Sequence, residues 1–392
     1  MSYGNQVQFK VYKEQEKAVV PVSYEELEKA AKEKLEAAPY FYVAASAGGE
    51  ETAKANREAF NQWKIVPRML RDTTKRDLSI ELFGQTIPYP VLCAPVGVQS
   101  IVHPEGEIAS ARASASMGVP FISSTASTHS LEKVAAAAGD GLKWFQLYWS
   151  SDREIAASMV QRAEQAGYKA IVITLDTPMM AWREKDIENA YLPFLMGQGI
   201  GNYLEDPVFC SRLAKSSQED LVGAVTYWSR VFGNPGLTWE DLQFIRMQTS
   251  LPILLKGILH PDDAKLALEH GMDGIIVSNH GGRQVDGAIS ALEALPEICD
   301  VVNGEIPVLM DSGVRRGADI VKAIALGAKA VLVGRPYIYG LALAGDAGVK
   351  QVLRNLIADL DLTMALSGKT SIKELDRSLL KKIEKWATSH LV

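Results

Sequence analysis

The chain has 392 residues, with 41 basic and 47 acidic side chains for a formal net charge of −6, and 47% hydrophobic content. That length suits one large domain or two ordinary ones, and the acidic balance leaves nucleic acid or an anionic membrane as partners only through a local basic patch, which is absent. Also absent are an apolar run near the roughly 18 residues of a spanning helix, a signal-peptide pattern and, with only Cys93, Cys210 and Cys299, a disulfide framework, so a cytoplasmic protein is expected.

In chain order, residues 24–59 have helical periodicity, and Ser23 stands three residues before Glu26 as a capping box. Eight short apolar runs rich in β-branched residues follow, at 90–98, 119–125, 143–149, 170–176, 252–257, 274–280, 307–313 and 330–336. Between them, 107–117, 152–166, 262–270 and 318–326 repeat apolar residues at helical spacing, with Gly118, Gly167, Gly271 and Gly327 as stops. Alternating strand and helix signals predict a parallel sheet. Eight units close naturally into a (β/α)8 TIM barrel of about 250 residues, with an open doubly wound sheet as the competing fold. Residues 341 onward form a helical tail without a core of their own.

The surplus length sits at the two ends and in the fourth connection, where about 75 residues separate 176 from 252 and a crossover needs roughly 20–30. Residues 183–237 are expected to form a lid over the barrel mouth, with a plain surface decoration as the alternative. A single domain follows, with its barrel at about 90–340 and a helical cap at the N-terminus.

Chemistry in such a barrel gathers where the strands end. The runs deliver Gly97, Ser124, Gln146 with Tyr148, Thr174 with Asp176, Lys256, His280 with Arg283, Asp311 with Arg315, and Gly334 with Arg335. Converging charges must be paired or hydrated, so a purely structural barrel has no use for them. DSGVRRG (311–317) and GRP (334–336) place glycines and arginines at the usual phosphate position of these barrels. In SNHGGRQ (278–284) an imidazole able to take a proton precedes a guanidinium able to bind a carboxylate. Taken alone, His280 also reads as a satisfied core histidine. Lys256 admits two roles: a Schiff-base nucleophile of an aldolase-type enzyme, or a fixed charge against a cofactor that becomes anionic, such as a flavin. Ser124, Gln146 and Thr174 suit hydrogen bonding to a flat polar ring and favour the second. No metal-ligand spacing accompanies these residues.

With KGI at Lys256, SNHGGRQ, DSGVRRG and GRP in that order, the sequence resembles the FMN-dependent L-2-hydroxy acid oxidases and dehydrogenases from about 24 to 375. The resemblance implies FMN as cofactor, a small 2-hydroxy acid and O2 as substrates, and a homotetramer or larger assembly. It makes His280 the base and Asp176 its partner. Arg183, Arg283 and Tyr42 become a carboxylate clamp, with Tyr148 at the substrate hydroxyl. Lys256, Ser124, Gln146 and Thr174 go to the flavin ring, with Gly97 beside it. Asp311, Gly313, Arg315, Gly334 and Arg335 go to the ribityl phosphate. The segments 193–209 and 232–242, with Gly97, resemble the lactate 2-monooxygenase subgroup. That likeness implies oxidative decarboxylation of L-lactate to acetate, CO2 and water, with Tyr203 reaching the substrate from the lid. An L-lactate oxidase releasing pyruvate and H2O2 is the alternative.

Overall fold

In the computed structural model, which describes residues 2–383, the eight apolar runs become eight parallel strands. They are β1 (Val91–Cys93), β2 (Phe121–Ser124), β3 (Lys143–Leu147), β4 (Ile171–Thr174), β5 (Ile253–Ile258), β6 (Gly274–Val277), β7 (Val308–Met310) and β8 (Ala330–Val333). Each pairs with its successor and β8 pairs with β1, so the sheet closes into a barrel. Every strand residue except Gly257 is buried. Burial on both faces is why these strands read as continuous apolar runs rather than as alternating patterns.

Helices Gly106–Ser116, Arg153–Gln165, Pro261–Glu269 and Gly317–Ala325 lie where periodicity places them. The four stop glycines all have positive φ. The N-terminal region forms three helices, Tyr24–Lys34, Ala37–Ala44 and Glu51–Gln62, and Ser23 accepts the Glu26 N–H at 3.3 Å. The tail helix begins earlier than expected and runs Arg335–Leu366 with a kink at Ala344 and Gly345, so its first turn is the GRP motif itself. An additional helix, Tyr3–Lys13, precedes these, and the strand Trp63–Ile65 pairs with Leu380–Lys382.

Several strands stop before their apolar runs do. The first run continues to 98, yet β1 ends at Cys93: Val98 turns to a φ of 57° and donates its N–H to Ala126 O, tying the loop after β1 to the loop after β2. The residues beyond the ladder are thereby freed to face the mouth of the barrel.

The long excursion after β4 is more firmly seated than a lid hinged at its two ends. It carries short helices Glu184–Glu188, Gly201–Leu204 and Pro207–Ser211 and the longer Leu221–Val231. Ile200, Asn202, Tyr203, Asp206 and Phe209 within it are fully buried. Asn202 donates to Ser124 O and Thr125 O at 3.1 and 3.0 Å and accepts from Leu131 N–H at 2.6 Å. Asp206 accepts from Ser158 Oγ and Arg162 on the helix outside β3. Among the described residues, no helix is long and apolar enough to cross a membrane, and no group of His, Cys, Asp or Glu is arranged to hold a metal.

Candidate active site

Strand register brings the predicted residues together at one end of the barrel. Ser124 pairs with Gln146 across β2 and β3, and Thr174 pairs with Lys256 across β4 and β5. Above them lies a cavity of about 460 Å³, whose walls include Tyr42, Gly97, Tyr148, Arg183, Lys256, His280 and Arg283, and towards β7 and β8 Asp311, Gly313, Arg315, Gly334 and Arg335. Residues 180–195 and Phe232, from the excursion after β4, supply much of its apolar wall.

His280 Nδ1 lies 2.7 Å from Asp176 Oδ1, and Thr177 Oγ1 donates to the same carboxylate oxygen at 2.9 Å. That contact assigns the ring proton to Nδ1 and leaves Nε2 as an acceptor, 3.4 Å from the Tyr148 hydroxyl. Burial pushes the His280 pKa below its ordinary 6.5, Lys256 and Arg183 push the same way, and Asp176 opposes them. The imidazole is therefore neutral at rest and able to accept a proton. Burial works against the Asp176 charge, but His280 and Lys256 outweigh it and hold this carboxyl well below the usual range. Burial raises the Tyr148 phenol to about 12, so it remains a hydrogen-bond donor. Gly257 makes room for Asp176: at a φ of 109°, a Cβ there would sit 2.8 Å from the Asp176 Cβ.

The cavity carries a surplus of positive charge facing His280. Arg183 donates to Arg283 O and Gln284 Oε1 at 3.1 Å each, and its nearest carboxylate, Asp186, is 3.7 Å away. Arg283 donates to Ala45 O at 2.8 Å and lies 5.5 Å from the centre of the Tyr42 ring. Burial, then the cations of Arg183 and Arg335, push the Arg283 guanidinium down to about 9. Two crowded guanidinium groups with little carboxylate between them call for an anionic ligand.

The remainder of the site bears on the flavin that the resemblance implies. Ser124 Oγ donates to Gln146 Oε1 at 2.9 Å, which directs the amide so that Nε2 is the free end. Gln146 Nε2, Thr174 Oγ1 and Arg315 Nε are buried without a hydrogen-bond partner among the described residues. Each orphaned group costs about 1–3 kcal/mol unless something binds it, and a ring with carbonyl and imine acceptors plus a phosphate would satisfy all three. Lys256 Nζ donates to Ser278 Oγ at 2.9 Å and lies 3.5 and 3.7 Å from Asp311 and Asp176 carboxylate oxygens. Burial disfavours its charge, yet these carboxylates raise its pKa above the ordinary value. It is thus an ammonium, which suits a fixed charge and not the free amine a Schiff base requires. A Cβ on Gly97 would meet both Cβ and O of Ala126 at 2.8 Å, so the wall beside the ring position must be bare backbone. The residues fit FMN.

Two placements differ from expectation. Tyr203 does not reach the cavity; its ring is fully buried against Phe209, Trp228 and Phe232, at 5.4, 6.5 and 6.4 Å between centroids. The helical turn Gly201–Leu204 directs it into this aromatic cluster, and Phe232 faces the mouth in its place, 5.4 Å from the Tyr148 ring. Arg335 lines the cavity, but its guanidinium donates to Val43 O, Gly281 O, Ala45 O and Ser46 Oγ. Arg315 is then the better-placed phosphate donor. Sequence reasoning missed Tyr191, packed edge-on against Tyr42 at 6.1 Å, and Thr177, Ser278 and Ser312; only the last two had a signal, as hydroxyls inside the quoted motifs.

Comparison with known proteins agrees with this geometry. The family model described as FMN-dependent dehydrogenase matches residues 31–382. An L-lactate oxidase of Lysinibacillus sphaericus (strain C3-41) is 52% identical over 358 residues, covering 91% of this chain and 92% of that protein. An L-lactate oxidase of Nostoc sp. is 43% identical over 363 residues, covering 92% and 98%. A crystal structure of mandelate oxidase superposes with a TM-score of 0.82 at 40% identity, covering 92% of this chain and 98% of that one.

Proposed function

Since the chain belongs to the FMN-dependent dehydrogenase family and is an FMN-dependent oxidoreductase of 2-hydroxy acids, we propose that its substrate is L-lactate, its acceptor dioxygen, and its products pyruvate and hydrogen peroxide. The observation that carries the chemistry is the His280 ring, with Nδ1 against Asp176 and Nε2 beside the Tyr148 hydroxyl, in a cavity with two guanidinium groups. The choice of lactate and of peroxide release rests on the L-lactate oxidases at 52% and 43% identity.

In this reading Arg183 and Arg283 bind the substrate carboxylate, assisted by the Tyr42 phenol, and Tyr148 orients the 2-hydroxyl. His280 Nε2 takes the hydroxyl proton, and Asp176 stabilises the imidazolium so formed. FMN, where bound, would supply the two-electron acceptor for oxidation at the substrate Cα, with dioxygen as its oxidant. Lys256 contributes a fixed positive charge, and Gln146 and Thr174 hydrogen-bond the ring. The apolar wall of Ala181, Leu192, Phe194 and Phe232 suits a small uncharged side chain such as the lactate methyl.

The decarboxylating outcome implied by the loop segments differs only in what happens next: pyruvate and peroxide, if held together, react to give acetate, CO2 and water. The firmly seated excursion after β4 is the feature that favours it, and product analysis separates the two. In an anaerobic titration, L-lactate should bleach the bound flavin, and oxygen addition should then yield pyruvate and peroxide one to one. Acetate without peroxide assigns the decarboxylating reaction, and failure to bleach removes the proposal altogether. His280→Ala should retain FMN and lose about 10²–10⁴-fold in the reduction rate; an unchanged rate would take the proton transfer away from the histidine.

A further inference from the structure

The residue after Asp311 occupies a backbone conformation that its side chain does not favour. Ser312 has a φ of 75°, in the left-handed region where glycine meets no steric penalty. Its hydroxyl has every hydrogen-bonding position in use: Oγ donates to Asp311 Oδ1 at 2.8 Å and accepts from the backbone N–H groups of Asn279 at 3.3 Å and Gly281 at 3.0 Å. Those two amides flank His280, which is itself left-handed at a φ of 59°. The His280 N–H goes to Ser278 Oγ at 3.0 Å, and Ser278 Oγ also receives Lys256 Nζ at 2.9 Å. Asp311 Oδ2 lies 3.5 Å from that same Nζ. Three successive amides around the histidine are therefore held by two serine hydroxyls, and both hydroxyls are anchored on the Lys256–Asp311 pair.

We propose that Ser312 is a positioning residue whose hydroxyl locks the backbone on either side of His280 to the β7 carboxylate and so aims the imidazole. This rests on the reading of His280 as the base. A serine that merely filled space would yield to glycine without loss, because glycine is the residue this φ suits best. Removing the hydroxyl instead frees the Asn279 and Gly281 amides and lets a doubly left-handed turn relax.

The decisive variant is Ser312→Gly, which removes the hydroxyl while relieving the backbone, with Ser312→Ala as the variant that keeps the strained backbone. FMN content, apoprotein melting, the His280 imidazole titration by NMR in the apoprotein, and stopped-flow flavin reduction by L-lactate are compared with wild type. Ser312→Gly is expected to fold and bind FMN, to shift the His280 titration, and to slow limiting reduction by about tenfold or more with KM within about threefold, since misaligned catalytic groups lose rate before affinity. Ser312→Ala is expected to show the same losses and to melt lower. A Ser312→Gly protein identical to wild type in both titration and reduction overturns the assignment. Wild-type protein that no 2-hydroxy acid reduces would instead defeat the oxidase reading, and the apoprotein titration would then decide the positioning role by itself.

Discussion

A base must be neutral before it takes a proton and must then tolerate the charge. His280 meets the first demand through burial, with Lys256 and Arg183 adding to it, and the second through the ion pair with Asp176. The sign of the pH dependence follows. With its pKa lowered from 6.5, the imidazole is unprotonated across neutral pH, so kcat/KM should be level there and fall only in acid, as the base is protonated. Asp176 raises that pKa against these effects. Asp176→Asn should therefore move the acid limb to still lower pH while cutting the plateau by about 10²–10⁴-fold, because the imidazolium loses its counter-charge and the tautomer its orientation. Stopped-flow reduction between about pH 5 and 9 measures both, and an unmoved limb with an unchanged plateau would leave Asp176 a bystander.

The excursion after β4 is tied to the barrel in part by one amide. Asn202 bridges it to the end of β2 with two hydrogen bonds and to the start of the next helix with a third, and its removal leaves two carbonyls and the Leu131 N–H without this partner. Asn202→Ala should cost about 2–4 kcal/mol, visible as a lower melting temperature and as faster proteolytic cleavage between 183 and 237, with FMN still bound. Resistance equal to wild type would show that the aromatic cluster around Tyr203 suffices to seat the segment. The same element marks where the sequence was silent. Strand-end residues were legible because a buried parallel strand is an unmistakable apolar run and its last residues have one destination, the mouth; His280, Lys256, Asp311 and Gln146 all follow from that. In the excursion no such rule operates. Whether Tyr203 or Phe232 faces the substrate depends on how short helices rotate against one another, and a four-residue turn such as Gly201–Leu204 has too little periodicity to reveal it. The serine clamp was hidden for another reason: hydroxyl partners just beyond β6 and β7 are a property of the closed barrel, not of either motif.

For the molecule as a whole, closing eight strands around polar ends ties stability to the cofactor. The strands are largely apolar, but among the described residues Gln146 Nε2 and Thr174 Oγ1 are buried without partners, so the apoprotein bears a desolvation cost that a bound flavin ring would remove. Binding to the folded state alone stabilises by about 4 kcal/mol at a ligand concentration a thousandfold above Kd, which should raise the melting temperature by at least about 5 °C. Thr174→Val tests the origin of that coupling, since it keeps the shape of the side chain and deletes only the orphaned hydroxyl. Without FMN the variant should melt higher than wild type, because a buried polar atom with no partner has been removed. With FMN it should bind about five- to tenfold more weakly, the loss of one hydrogen bond worth about 1 kcal/mol. Opposite signs in apoprotein melting and cofactor affinity, measured by calorimetry on the same preparation, are the expected result. Destabilisation in both states would mean that Thr174 is held by the barrel itself, and the stability of the rim would then have to be sought in packing alone.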